Sequence, residues 1–192
     1  MKKTILVVTL FAFVASVGVF AQPVSGKKFE FSTSASIWNI KYKDAEESTT
    51  IINLPIRFGF FIFKGLEIEP EVLITIPDES EDTGYQLSGN LAYNFNASEK
   101  ATLFILAGVG YGNGVEAFSW VWDYEMGVNL INVGAGVKWL VGDTAALRLE
   151  YRFSKYSGKK EETYEYWGYS WTETEELDRT DHKFFIGLSI FF

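Results

Sequence analysis

Apolar and polar residues alternate with a period of two through most of this chain, in segments of about ten residues separated by turn formers, and this constrains the fold more than any other feature. In Leu147–Phe153 every odd position is apolar and every even position is charged. Successive side chains of an extended strand point to opposite faces, so this segment has one greasy face and one ionic face. Ile52, Leu54, Ile56, Phe58 and Phe60 oppose Asn53, Pro55, Arg57 and Gly59. Leu66, Ile68, Pro70, Val72 and Ile74 oppose Glu67, Glu69 and Glu71, and Tyr85, Leu87, Leu91, Tyr93 and Phe95 oppose Gln86, Ser88, Asn90 and Asn94. Leu103, Ile105, Ala107, Val109 and Tyr111 stand against Gly108 and Gly110, and Val133, Ala135, Val137 and Trp139 against Gly134, Gly136 and Lys138. The last segment, from about Lys183, keeps Phe184, Ile186, Leu188, Ile190 and Phe192 in phase. The first, 29–42, starts with Phe29, Phe31, Ala35 and Ile37 in one phase and ends with Trp38, Ile40 and Tyr42 in the other, which predicts a bulge or an extension beyond the membrane.

Eight such strands predict a closed antiparallel sheet. Their connections alternate in length: 64–65, 96–100 and 142–144 are short, whereas 43–49, 77–83, 113–127 and 155–181 are long. Short turns at one end and long loops at the other predict an all-β, eight-stranded antiparallel up-and-down transmembrane β-barrel, with periplasmic turns and extracellular loops. A soluble, lipocalin-like periplasmic binder is the alternative, and it requires the opposite polarity, with large apolar side chains crowded into the lumen. Glycines and charges inward with aromatics outward fit the membrane barrel better. The inward ionic set is then Arg57, Glu67, Glu69, Glu71, Lys138, Arg148, Glu150 and Arg152, four acids and four bases. An eight-stranded barrel is just wide enough for side chains to fill it, so the expectation is a plugged, charge-paired lumen with a structural role. A small-solute channel or carrier is the alternative, and catalysis by clustered carboxylates is disfavoured by the equal number of cations.

Asn132–Trp139, Ala146–Phe153 and the terminal Phe191-Phe192 together resemble the small outer-membrane barrels of the OmpA/OmpX type. The resemblance implies an integral protein of the Gram-negative outer membrane, in contact with its lipids and lipopolysaccharide. It also implies that Phe184, Ile186, Leu188, Ile190 and Phe192 form the C-terminal signal read by the outer-membrane insertion machinery. The resemblance is to the barrel alone, so a peptidoglycan-binding role of the OmpA type is not expected from it.

The N-terminus fits export. Lys2 and Lys3 precede an apolar run from Ile5 to Val19 and a small residue, Ala21, before Gln22-Pro23. This predicts a cleaved signal peptide, 1–21, and a barrel domain, 22–192. With no cysteine there is no disulfide, thiolate metal site or cysteine nucleophile. A formal net charge of −8 argues against a nucleic-acid partner. Neither a cofactor nor a metal site is expected. The acidic runs Asp44, Glu46, Glu47 and Asp78–Asp82 read as solvated loops, with a weak Ca²⁺ or Mg²⁺ contact shared with lipopolysaccharide phosphates as the alternative. The lone histidine, His182, lacks the paired motif of an outer-membrane hydrolase, and no catalytic residue is assigned.

Two loops are rich in aromatics. Phe118, Trp120, Trp122 and Tyr124 alternate, and Tyr164–Trp171 reads as a hairpin turning near Gly168, which suggests strands that continue beyond the bilayer as an exposed sheet. Trp120, Trp122, Trp167, Tyr169 and Trp171 are the candidate contact residues for an extracellular protein or glycan, by edge addition or by stacking. Membership of the interfacial aromatic girdle is the alternative.

Overall fold

The computed structural model describes residues 27–41, 48–63, 65–77, 83–113, 127–167 and 169–192. It is a closed barrel of eight strands in chain order, each antiparallel to its neighbours: β1 (Phe29–Lys41), β2 (Ser48–Phe63), β3 (Leu66–Pro77), β4 (Gly84–Asn96), β5 (Ala101–Asn113), β6 (Val128–Leu140), β7 (Ala145–Tyr166) and β8 (Tyr169–Phe191). Closure gives each strand a partner on both sides, the condition for placing extended backbone in a hydrocarbon layer that supplies no hydrogen bonds. The ends meet directly: Lys28 and Phe29 donate their backbone N–H groups to the Phe192 carbonyl at 3.2 and 3.0 Å, and Phe192 returns one to Phe29 at 3.0 Å. The proposed leader, 1–21, lies outside the described residues.

The alternation resolves into two faces of opposite polarity. Leu87, Val109, Ile131, Phe184, Ile186 and Leu188 are exposed on the outside, whereas Arg57, Glu67, Glu69, Arg148 and Glu150 are buried inside. So large an apolar exterior is stable against lipid and a liability in water. This polarity overturns the lipocalin-like alternative. The interior also takes in rings that the expectation of outward aromatics left out: Phe104, Tyr156, Phe185 and Phe191 are buried. Phe104 fits because Gly136 stands beside it, where an added Cβ would lie 2.5 Å from the ring.

Three local features depart from the expectations. The strands do not stop near residue 153. β7 and β8 stay paired from Phe153↔His182 to Tyr166↔Tyr169, so 155–181, expected as a long loop tipped by the Tyr164–Trp171 hairpin, is a paired arm through most of its length, with that hairpin as its tip. Hydrophobic alternation marks a strand only where one face meets lipid. Beyond that level the arm is held by cross-strand contacts such as Lys155–Asp178 at 3.2 Å and Thr163–Thr172 at 3.1 Å. The phase change in β1 involves no bulge, since one register runs from Phe29↔Phe60 to Lys41↔Ser48. A register shift lies instead between Phe61 and Phe63, opposite the start of β3.

Candidate functional site: the ionic interior and the hairpin arm

The period-two face of β3 carries Glu67, Glu69 and Glu71 into the lumen, and each meets a cation from the opposite wall. Lys138 of β6 donates to Glu67 at 2.9 Å, and Arg148 of β7 donates twice to Glu69, at 2.7 and 3.1 Å. Arg152 of β7 donates twice to Glu71, at 2.6 and 2.9 Å. The fork of an Arg guanidinium matches a carboxylate, so the two-pronged pairs fix distance and orientation together. Arg57 of β2 adds a 2.6 Å bond to Glu71 and a 3.5 Å contact with Glu150, which also lies 2.9 Å from Arg148 and 2.5 Å from Arg152. These side chains are at most 3% exposed.

All eight residues proposed for the ionic interior therefore lie in one connected group. A ninth, Glu30 of β1, joins them through Lys138, through Arg148 at 3.3 Å and through the Ser189 hydroxyl at 2.6 Å. The sequence contained its signal, since Glu30 sits between the outward Phe29 and Phe31, but on a face otherwise made of Ser32, Ser34 and Ser36 no second charge marks it as part of an ionic set. With Glu30 the group holds one carboxylate more than its cations. Inward aromatics cap the charges: the Arg148 guanidinium lies 4.6 Å from the Phe104 centroid, and that of Arg152 lies 5.2 Å from Phe185.

This geometry braces the barrel. Removing nine charges from water is costly, and only dense pairing with good hydrogen bonds offsets it. Oxygens of Glu30, Glu67 and Glu69 converge within 4.8 Å of one another, a spacing that suits a metal ion. Lys138 and Arg148 already fill that position as the cations of the cluster. Nearer the loops, Asp181 is held by Arg179 at 2.6 Å and Lys183 at 3.3 Å, and Lys183 donates to the Tyr156 hydroxyl at 2.9 Å.

The other candidates lie elsewhere. Phe184, Ile186, Leu188, Ile190 and Phe192 all face outward along β8, with Phe192 stacked on Phe29 at 5.8 Å. His182 is also on the outer face, with Nδ1 2.5 Å from the Tyr151 hydroxyl and its ring edge-on to Phe153. At the tip of the arm Trp167 is 85% exposed, Tyr169 78% and Trp171 48%, and Trp171 stacks on Tyr164 at 5.6 Å. Trp167 turns the chain with φ 51°, a left-handed conformation unusual for a bulky residue. Trp120 and Trp122 lie outside the described residues.

An up-and-down barrel with lipid-facing aliphatics, a paired ionic interior and a terminal aromatic sealed against the first strand is a small integral membrane β-barrel. The chain belongs to the outer membrane protein beta-barrel domain family, which it matches over residues 8–189. Among solved structures it is similar to Neisserial surface protein A, with a TM-score of 0.61 and 12% identity over 85% of this chain and 97% of that one. It is also similar to a de novo designed transmembrane β-barrel, with a TM-score of 0.51 and 13% identity over 90% of this chain and 100% of the design. No curated protein matches the sequence.

Proposed function

We propose that this outer-membrane barrel is a non-enzymatic surface protein that presents the β7–β8 arm to extracellular molecules, above a lumen plugged by its own ion pairs. The arm carries the reading. From Phe153↔His182 to Tyr166↔Tyr169 it adds fourteen residue pairs, roughly 45 Å of strand. A membrane-spanning strand needs only about ten residues, so this length serves no purpose within the lipid. Its tip places Trp167, Tyr169 and Trp171 in water, where rings are unfavourable unless a partner covers them.

The ionic interior supports a closed lumen, because its links from β3 to β6 and β7 run straight across the path a solute would take. Lipopolysaccharide and outer-membrane lipids are the surroundings of the apolar face. The insertion machinery is the partner for the outward face of β8 during assembly, after cleavage following Ala21. The test is binding of expressing cells to immobilised extracellular proteins and glycans, native chain against a variant with Trp167, Tyr169 and Trp171 all replaced by Ser. Loss of binding with normal heat-dependent gel mobility is expected, and unchanged binding overturns the reading.

A further inference from the structure

The lumen changes character on its loop side. At the short-turn end, Asn94 of β4 donates to Glu67 at 2.8 Å and to the Gly65 carbonyl at 3.2 Å, so its amide nitrogen belongs to the ionic layer. Farther out the amides no longer join it. Asn90 and Gln86 of β4 lie four and eight residues on the loop side of Asn94, Asn132 of β6 six residues on the loop side of Lys138, and Asn53 of β2 four on the loop side of Arg57. All four are at most 2% exposed. Among the described residues neither amide atom of Gln86, Asn90 or Asn132 has a hydrogen-bond partner, and neither has Asn53 Nδ2, although the Asn53 oxygen accepts from Thr75 at 3.1 Å. Buried polar groups are ordinarily paired, so seven orphaned atoms in one stretch of lumen point to a partner that the barrel wall does not supply.

The wall between these amides is bare. β5 runs between β4 and β6 and turns Gly108, Gly110 and Gly112 inward, with Asn90↔Gly108↔Asn132 in continuous register and Gln86 beside Gly112. An added Cβ would strike Asn90 Oδ1 at Gly108 and would lie 2.5 Å from Gln86 Cγ at Gly112. The β4 amides therefore lean over the β5 backbone toward Asn132, whose strand is about 10 Å away across two strand spacings. Leu73 and Leu130 adjoin them in register, and the buried Tyr156 ring pairs with Leu130.

A carboxamide donates and accepts at once and carries no charge. Its complement is an uncharged molecule whose groups do the same, which is the chemistry of sugar hydroxyls, while Leu73, Leu130 and Tyr156 suit the apolar C–H face of a sugar ring. We propose that the outer lumen binds a neutral mono- or disaccharide from the extracellular side, held between Asn90 and Asn132 and by Gln86 nearer the mouth. An ion is the poorer occupant, because the amides add no charge and the acids and bases below them already pair with one another. The site is a dead end above the ion pairs, so the inference rests on the closed lumen proposed above but not on the β7–β8 arm.

The test uses the full chain in lipid nanodiscs, with the side-chain amide signals of Asn and Gln followed by NMR during titration with glucose, N,N′-diacetylchitobiose and, as the charged control, glucuronate. Saturable shifts at Asn90, Asn132 and Gln86 are expected with a neutral sugar, with glucuronate at least tenfold weaker. Asn90→Ala with Asn132→Ala is expected to weaken binding by roughly tenfold or more while heat-dependent gel mobility stays normal, since deleting unpaired amides leaves no new group unpaired. The Trp167, Tyr169 and Trp171 triple Ser variant is expected to keep the shifts. Absence of saturable shifts with both neutral sugars, equal binding of glucuronate, unchanged binding by the double Ala variant, or loss of the shifts in the triple Ser variant each overturns the proposal. If the lumen takes no sugar while the triple Ser variant still loses cell-surface binding, the sugar site is wrong and surface presentation stands. Passage of the sugar into proteoliposomes overturns the closed lumen, and the dead-end site with it.

Discussion

Arg148 makes the case for pairwise bracing at single-residue resolution. It serves Glu69, Glu150 and Glu30 from a fully buried position, so Arg148→Ala leaves three carboxylates short of a partner. The expected loss is about 3–5 kcal/mol in urea unfolding from lipid vesicles, whereas replacing Arg148 and Glu69 together with Met and Leu is expected to cost less, because no lone charge remains from that pair. Overpacking gives an independent check on the interior. Gly136→Leu drives a side chain into the Phe104 ring and is expected to destabilise the barrel by about 1–3 kcal/mol in the same assay. The inward charges were legible in the sequence because each alternates with an apolar residue, as Arg148 does between Leu147 and Leu149. Their partners were not legible. Nothing in the order of residues says that Glu69 takes the two-pronged bond of Arg148 while Arg152 takes Glu71, because the match depends on which residues lie level across the lumen.

Among the elements, β7 and β8 hold both parts of the molecule. Their inner halves close the membrane barrel and their outer halves form the arm, with Gly158↔Leu177 near the point where β6 drops away. The two parts draw on different forces, lipid-facing apolar area below and cross-strand contacts above. Deleting 159–176 and joining the cut ends through two glycines is therefore expected to leave heat-dependent gel mobility unchanged while removing surface binding; a variant that fails to fold would show that the arm is part of the barrel's folding unit. The length of the arm escaped the sequence for a physical reason. In water both faces of a hairpin are solvated, so Lys155–Thr163 shows no apolar alternation and reads as loop, although its backbone stays paired with β8 throughout, and only the tip, Tyr164–Trp171, reads as a hairpin.

For the whole molecule, the closed interior predicts that the purified protein in planar bilayers gives no stepwise conductance, and that charge-neutralising changes such as Arg148→Met with Glu69→Leu do not open a steady pore. Regular single-channel steps from the native chain would overturn the plugged lumen. The β1–β8 seam adds a geometric check in a chain without cysteines. Ala35→Cys with Ile186→Cys, on paired positions, is expected to cross-link on oxidation, and Ile37→Cys with Phe184→Cys, beyond the last pair, far less. The sequence by itself determined the strand count, the inward and outward faces and the membrane-exposed polarity, because a period of two is a local property of an extended chain and is written in every consecutive pair of residues. Tertiary structure alone decided which charges meet across the lumen, that Glu30 completes them, and that β8 leaves β1 at Ala35↔Ile186. Those outcomes depend on register and closure, which join residues more than a hundred positions apart, as Lys138 and Glu30 are, and no local pattern encodes such a distance.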